Sequence, residues 1–480
     1  MISLPGVDRI DEFVGDGLER AVRRHHRRRL TALGHAAAFD PPDDGPWVPG
    51  APAPRAGHTI DVLVDGDQAL RALHDALLTA RSHVHLAGWH LAPGFRLHRG
   101  EDAPTVADLL RDLAQRIDVR VLLWAGPPVP VFKPTRGSVR RVRDELTAGG
   151  SVRCVLDARE RTLHCHHEKI VVIDDEVAFV GGIDLTDLSG DRWDEREHPR
   201  RGAIGWHDTA TRLRGPIVAD VARHFRDRWQ EVAREPLPEP VTPSPAGDMA
   251  AQFLRTVPER TYDFAPTGEF RILDAYLRAL RSAERLIYLE NQFLWSAEII
   301  DVLRDKLAHP PHPDFRMVLL LPARPSSGAD TTRGQLGCLV EADGDGDRLL
   351  AVTLINGDPD DGDAPYVHAK VGIVDDRWLT VGSANLNEHS LFNDTEVNVM
   401  TTDPELARAT RVRLWAEHLR LPASEVDGDP RTAIDTLWKA RADTDAGDAG
   451  EDGPRISRLP AVSRRSERLL GPVRGLLVDG

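Results

Sequence analysis

Lysine is nearly missing from this chain. Of 61 basic residues only five are lysine: Lys133, Lys169, Lys306, Lys370 and Lys439. Two of the five fall in a repeated motif. A compact ammonium is wanted there for itself, because arginine's planar fork is not an equivalent group. Cysteine is scarce too. Cys154, Cys165 and Cys338 are too few and too scattered for a disulfide framework or a cysteine-held zinc site, and Cys165 reads as a small residue on a strand. No apolar run approaches the roughly 20 residues that a membrane helix needs. The stretch Met1 to Asp8 lacks the basic and apolar regions of a secretory signal. We therefore expect a cytoplasmic protein, peripheral at a membrane at most. A formal charge of −15 would repel nucleic acid and anionic bilayers at long range, so no nucleic-acid partner is expected.

What is present suits a soluble chain of two or three domains: 480 residues, 41% of them hydrophobic. Residues 1–57 form a helical, basic extension and a proline-rich link. Its cluster Arg23-Arg24-His25-His26-Arg27-Arg28-Arg29 reads as a solvated helix face, with contact to lipid headgroups or phosphate as the sharper alternative. From residue 58 to 234 short apolar strands alternate with helices, the pattern of an α/β unit with a parallel or mixed sheet. Residues 235–250 are rich in proline and read as a linker. Residues 251–425 repeat the order. Residues 426–480 form a tail with an acidic, glycine-rich stretch, Asp443 to Gly453, expected to be disordered. The basic stretch Arg455 to Arg474 follows, open to docking back on the body.

Each half carries the same motif. His167-Glu168-Lys169, four residues and Asp174 lead to Gly181-Gly182-Ile183-Asp184. His368-Ala369-Lys370, four residues and Asp375 lead to Gly382-Ser383-Ala384-Asn385. The histidines are a domain length apart, so this is a duplicated unit and not a solenoid. A single H-x-K arises by chance on many strands. Two copies sharing spacer, aspartate and glycine turn do not.

Residues i and i+2 of an extended segment share a face, so His167 projects with Lys169 and His368 with Lys370. Two such pairs meeting in one site offer two imidazoles and two ammoniums. The cations can neutralise the oxygens of a phosphodiester as charge builds up. One imidazole can attack phosphorus while the other protonates the leaving alcohol. Both titrate near neutral pH, so opposite protonation states can coexist. This chemistry needs no metal or cofactor, and none is expected. Asp174 and Asp375 complete the motif. They lie far along the strand and are expected to hold the turn or a neighbouring segment.

The paired motif resembles the phospholipase D superfamily, over roughly residues 58–420. The resemblance implies an α/β fold of two similar domains. Each would be a mixed sheet flanked by helices, packed with pseudo-twofold symmetry around one active site. It implies His167 as nucleophile through a phosphohistidine, and His368 as general acid and then base. Lys169, Lys370, Asn385 and Ser383 would hold the phosphate. It also places an acidic residue behind each histidine from the opposite half: Asp208, in Trp206-His207-Asp208, for His368, and Glu396, in Asn393-Asp394-Thr395-Glu396, for His167.

Asp184 stands where many members of the superfamily have asparagine; a carboxylate there would repel phosphate. That asymmetry, Gly190-Asp191-Arg192-Trp193-Asp194 and Ile287-Tyr288-Leu289-Glu290-Asn291-Gln292-Phe293 are similar to the phospholipase D branch. The implied reaction releases phosphatidic acid and a headgroup alcohol from a glycerophospholipid, or transfers the phosphatidyl group to an alcohol. The implied partner is a phospholipid substrate, met at a transient membrane-surface contact by a monomer. A phosphatidyl transferase of the cardiolipin synthase kind is the nearest alternative. An inactive lipid- or phosphate-binding protein is the alternative of another class. Trp89, Trp124, Phe132, Trp193, Phe293 and Trp295 are candidates to line a substrate pocket, with core packing favoured for each. The loop from Pro322 to Gly337, carrying Arg324 and Arg333, is a candidate to overhang the site.

Overall fold

The structure is a computed structural model. It describes residues 5–50, 52–98, 103–128, 133–160, 164–186, 205–323, 329–355, 365–444 and 455–459. The first half supplies strands β1 (Arg55–Val64), β2 (His83–Gly88), β3 (Asp118–Trp124), β4 (Arg153–Asp157), β5 (Ile170–Ile173), β6 (Val177–Gly181), β7 (Trp206–His207) and β8 (Thr209–Arg214). The rest supplies β9 (Met249–Val257), β10 (Glu269–Phe270), β11 (Leu286–Glu290), β12 (Arg316–Leu320), β13 (Leu349–Leu354), β14 (Tyr366–Val367), β15 (Val371–Val374), β16 (Trp378–Gly382), β17 (Glu396–Thr401) and β18 (Ile456–Arg458).

Fifteen of these strands run in one order: β18-β13-β12-β11-β15-β16-β17-β9-β1-β8-β6-β5-β2-β3-β4. The order is nearly palindromic. Outward from the centre, β1 and β9 match, then β8 and β17, β6 and β16, β5 and β15, and so on to β4 and β13. Strands β1 and β9 pair antiparallel at the seam, as two halves related by a twofold axis must. In each half β2-β3-β4 or β11-β12-β13 are parallel and the motif hairpin is antiparallel, giving a mixed sheet. The inner strands read as unbroken apolar runs, such as Ile170-Val171-Val172-Ile173, because helices cover both faces.

Helices α1 (Pro5–Ala32), α2 (Asp65–Leu78), α3 (Val106–Ala114), α4 (Arg136–Thr147), α5 (Ile217–Ala233), α6 (Arg271–Ser282), α7 (Ala297–Ala308), α8 (Ala329–Asp343) and α9 (Pro404–Leu419) supply that cover. No helix among the described residues is long and apolar enough to cross a membrane.

Four stretches differ from the sequence reading. The segment before β1 is not simply solvated. Arg29 forks onto Glu259, and it also donates to Asn393 Oδ1 at 2.9 Å and to the Phe392 carbonyl at 3.0 Å. Arg24, His25, Arg27 and Arg28 do face solvent. The range taken as an overhanging loop includes the first part of α8, which buries Leu336 and, beyond that range, Leu339. Arg333 donates to the Ala323 carbonyl at 3.1 Å, and Arg324 lies outside the described residues. Met249 and Ala250, assigned to the linker, already belong to β9. Residues 430–442, assigned to the tail, are helical and bury Ile434 and Trp438 completely. The Trp438 ring meets Trp415 at 5.5 Å and Tyr288 at 6.1 Å. Beyond it β18 adds an antiparallel edge strand to β13. Most of the acidic stretch, and the basic stretch past residue 459, lie outside the described residues.

Trp438 therefore belongs to the core of the second half. Trp438→Ala is expected to cost about 3–5 kcal/mol, the range for emptying a buried aromatic site. Urea unfolding measures it. A loss under about 1 kcal/mol would show that the segment contributes little, since even modest core truncations exceed that.

Candidate active site

The two motifs meet through cross-pairing of main chain. Strand β7 pairs with β14 in parallel, aligning Trp206 with Tyr366 and His207 with Val367. A matching parallel bridge joins His166 to Thr395. The His368 amide donates to the His207 carbonyl at 2.8 Å, and the His167 amide to the Thr395 carbonyl at 2.9 Å. Each histidine is thus held by the strand that carries the other half's carboxylate.

Those carboxylates sit on the rings. His167 Nδ1 lies 3.0 Å from Glu396 Oε1, and His368 Nδ1 lies 2.6 Å from Asp208 Oδ2. A carboxylate only accepts, so Nδ1 carries the proton in both and Nε2 is the ring atom left for chemistry. Their surroundings differ. Glu396 takes three donors: His167, the Ser390 hydroxyl at 2.6 Å and the Ser383 hydroxyl. Asp208 Oδ1 accepts the Thr209 amide at 2.7 Å. A Cβ at Gly182 would come within 2.2 Å of that oxygen, so glycine is required there to seat the carboxylate. Ser383 occupies the matching position in the second copy and uses its side chain instead. This corrects its expected place in the phosphate cradle: it is fully buried behind Glu396, where it also accepts the Val397 amide.

The lysines are also unequal. Each Nζ donates to the carbonyl of its own motif histidine, Lys169 at 2.6 Å. Lys169 is then paired with Asp184 Oδ2 at 3.2 Å. Lys370 instead meets the neutral amide of Gln292 at 3.4 Å, and Asn385 Nδ2 meets the same oxygen at 3.4 Å. Gln292 in turn donates to the Tyr366 hydroxyl at 3.0 Å. The first lysine has its charge balanced by the departure noted in the sequence. The second meets the amide oxygen that it shares with Asn385.

Asp174 and Asp375 are away from the imidazoles. Asp174 accepts the amides of Arg81, Ser82 and His83 at 2.7–3.0 Å. Asp375 accepts those of Glu284, Arg285 and Leu286 at 2.7–2.8 Å. Each pins the turn that starts a neighbouring strand, away from the reacting groups, as their place along the strand leads one to expect. Burial opposes the charge on Asp174, but the three amides outweigh it and hold its carboxyl below the ordinary range. Both begin turns with two successive residues at positive φ, which aspartate tolerates.

Trp89 and Trp206, both named in the sequence reading, lie against the imidazoles, and buried partners that it did not name stand behind them. Trp206 lies 3.9 Å from the His368 ring, centroid to centroid, and Trp89 lies 6.4 Å from the His167 ring. Trp124, Phe293 and Trp295 are core residues; Phe132 and Trp193 lie outside the described residues. His166 and Glu168 flank the first imidazole and are fully buried. Glu168 takes His224 at 2.6 Å and also Arg228, both from α5. Arg228 reaches Asp157 at 2.7 Å, and His166 Nε2 is 3.2 Å from Asp157.

His207 is the matching anchor behind the second imidazole. Its Nδ1 is 2.8 Å from Asp65 and its Nε2 2.9 Å from Glu290, all fully buried. Asp65 also accepts the Asp208 amide at 2.9 Å, and Glu290 takes His418 at 2.9 Å. Burial works against charge on His207, but Asp65 and then Glu290 overcome it and push the imidazole well above its ordinary value. The imidazolium holds Glu290 below the carboxylate range despite burial, while desolvation pushes Asp65 up. The sign follows. A raised folded value means the native state holds a proton that the unfolded chain gives up above about pH 6.5. The contribution is full below that pH and shrinks as pH rises towards the folded value. Thermal melts from pH 6.5 to 9 should show a falling component in the wild type that His207→Gln lacks. Parallel slopes in the two proteins would contradict a charged His207.

With this geometry in view, comparisons with known proteins are informative. The family model described as cardiolipin synthase, PLD-like domain, matches residues 276–417. Phospholipase D A of Dictyostelium discoideum is 25% identical over 77% of this chain and 36% of its own length. Phospholipase D zeta 2 of Arabidopsis thaliana is 23% identical over 86% of this chain and 59% of its own. Phospholipase D alpha 1 of Zea mays is 25% identical over 72% and 63%. The chain thus spans less than two thirds of each of these relatives. Among solved structures, phosphatidylserine synthase of Haemophilus influenzae Rd KW20 shares the fold, with a TM-score of 0.52 and 12% identity over 80% of this chain and 93% of that one.

Proposed function

The chain belongs to the phospholipase D superfamily, and from that premise we propose that it is a phosphodiesterase acting on glycerophospholipids. The observation that carries the reading is the pair of buried imidazoles, each oriented through Nδ1 by a carboxylate from the opposite half. His167 Nε2 attacks phosphorus and the bond from phosphorus to the headgroup oxygen breaks. His368 gives its Nε2 proton to the departing alcohol. His368 then takes a proton from water or an acceptor alcohol, whose oxygen attacks phosphorus and releases His167. The products are phosphatidic acid, or a phosphatidyl alcohol, and the free headgroup.

The roles are those the family resemblance implies, set beside carboxylates that are unequal. Glu396 divides its lone pairs among three donors, and His167 is assigned the attack, as the family resemblance implies. Asp208 makes the shorter contact, to His368, which is assigned the acid and then the base. Lys370, with Gln292 and Asn385 beside it, supports a role in holding the phosphoryl oxygens. Lys169, balanced by Asp184, holds the first imidazole's strand and completes the positive side of the site. Water as acceptor gives hydrolysis and a second lipid gives the cardiolipin synthase reaction, so one intermediate serves both readings. A binding protein would not need the two rings oriented in this way.

The test is incubation with phosphatidylcholine, phosphatidylethanolamine and phosphatidylglycerol vesicles, with and without ethanol and with chelator throughout. Phosphatidic acid, partly diverted to phosphatidylethanol, is expected from the wild type. Loss of His167 or His368 to alanine should lower kcat by roughly 10³-fold or more, general acid and nucleophile each being worth at least about 10²–10⁴. Asp208→Asn and Glu396→Gln should each lower kcat with little change in KM. Turnover intact in both would remove the cross-paired carboxylates from the mechanism. Lipid binding without turnover in the wild type would favour the binding protein.

A further inference from the structure

Upstream of the first imidazole, three donor groups converge from the two halves: His164, His389 and Asp394. One ligand atom from each lies within 4.8 Å of the others. His389 and Asp394 are buried, and the His164 side chain keeps 14% of its surface exposed. From this arrangement we infer a divalent transition-metal site of the zinc class, separate from the phosphodiester chemistry, that fastens the two halves together beside the nucleophile.

The spacing distinguishes this cluster from the others. At His207 the imidazole–carboxylate spacings are those of hydrogen bonds, with both contacts to Glu290 at 2.9 Å. Between His164 Nδ1 and Asp394 Oδ1 the distance is 3.6 Å, beyond hydrogen-bond reach. Zinc bonds of about 2.0–2.1 Å in a tetrahedron put neighbouring ligand atoms about 3.4 Å apart, so that gap is a ligand-to-ligand distance. The His164 and His389 rings stand 5.6 Å apart at 57°, converging and not stacked. The surrounding contacts set the carboxylate in place. Asp394 Oδ1 accepts the Cys165 amide at 2.9 Å, and the Cys165 thiol approaches Oδ2 at 3.5 Å. The Asp394 amide donates to the His389 carbonyl at 2.8 Å, closing the π-helical turn His389–Asn393. Two imidazoles and one carboxylate select zinc, nickel or copper over magnesium and calcium, which prefer oxygen-only shells. The thiol or a water from the exposed edge of His164 would complete the shell. The net charge of −15 favours accumulation of cations.

The consequence is mechanical. His164 lies three residues before His167, and Asp394 two residues before Glu396. An ion shared between them ties the strand of the nucleophile to the strand of its orienting carboxylate.

Chelator-stripped full-length protein, titrated with Zn²⁺ against a chromophoric competitor, tests this without any activity assay. The wild type should bind one equivalent that His164→Gln weakens by about tenfold or more, the usual range for loss of a metal-site group, and that His164→Gln/His389→Gln abolishes. Zn²⁺ should raise the wild-type Tm and leave the double variant unchanged. His164 is partly exposed, so the single variant is expected to fold, which its melt in chelator checks. His25→Gln, on the solvent face of α1, should behave as the wild type. Equal zinc affinity and stoichiometry in the wild type and the double variant, or no binding to either, would overturn the inference. So would loss of binding in His25→Gln.

Discussion

The site depends on one constraint: each imidazole must be held by a carboxylate that belongs to the other half. His167 with Glu396, and His368 with Asp208, are buried pairs. An uncompensated buried charge would cost several kcal/mol, so neither half can present its carboxylate in isolation without penalty. The sheet solves this by pairing β1 with β9 at its centre, which brings the two motif hairpins into related positions. Short parallel pairings then carry the carboxylate strands across. The long mixed sheet serves mainly to fix that crossing.

Within this near symmetry the two copies are built to differ. Gly182 makes room for Asp208, whereas Ser383 at the matching place reaches Glu396. Asp184 balances Lys169, whereas Asn385 leaves Lys370 among amides. The buried anchor is His166, within the first motif, on one side and His207, beside the carboxylate, on the other. A symmetric site would offer two equal imidazoles. These substitutions give the two imidazoles different surroundings, as the proposed division between nucleophile and general acid requires.

Much of this was legible in the sequence because it resides in local spacing. The alternation of strands and helices and the duplicated H-x-K are one-dimensional signals, and the family resemblance drew attention to Asp208 and Glu396. Other features are not local. Ser383 looks like a phosphate ligand until the path of its hydroxyl to Glu396 is seen. Gln292 was in view within Glu290-Asn291-Gln292, but nothing in one dimension shows it touching Lys370 and Asn385 together. Helix α8 was hidden by Asp330, Thr331 and Thr332 at its start, residues that favour turns over helix. The i, i+4 pair Ile434 and Trp438 was a signal for a buried helix, masked by its position after the second repeat. The charged clusters around His166 and His207 assemble residues from four or more separate segments and have no sequence signature.

The most direct test of the account is covalent trapping. His368→Asn removes the base that activates the second acceptor, and a p-nitrophenyl phosphatidyl ester, whose phenolate leaves without a proton, spares the first step while His167 and Glu396 stay in place. Rapid acid-free quenching with that ester, followed by proteolysis and tandem mass spectrometry, should find a phosphatidyl or phosphoryl group on His167. The adduct should be lost in Glu396→Gln/His368→Asn. An adduct on another residue, or full turnover by His368→Asn, would contradict a site shared between two unequal halves.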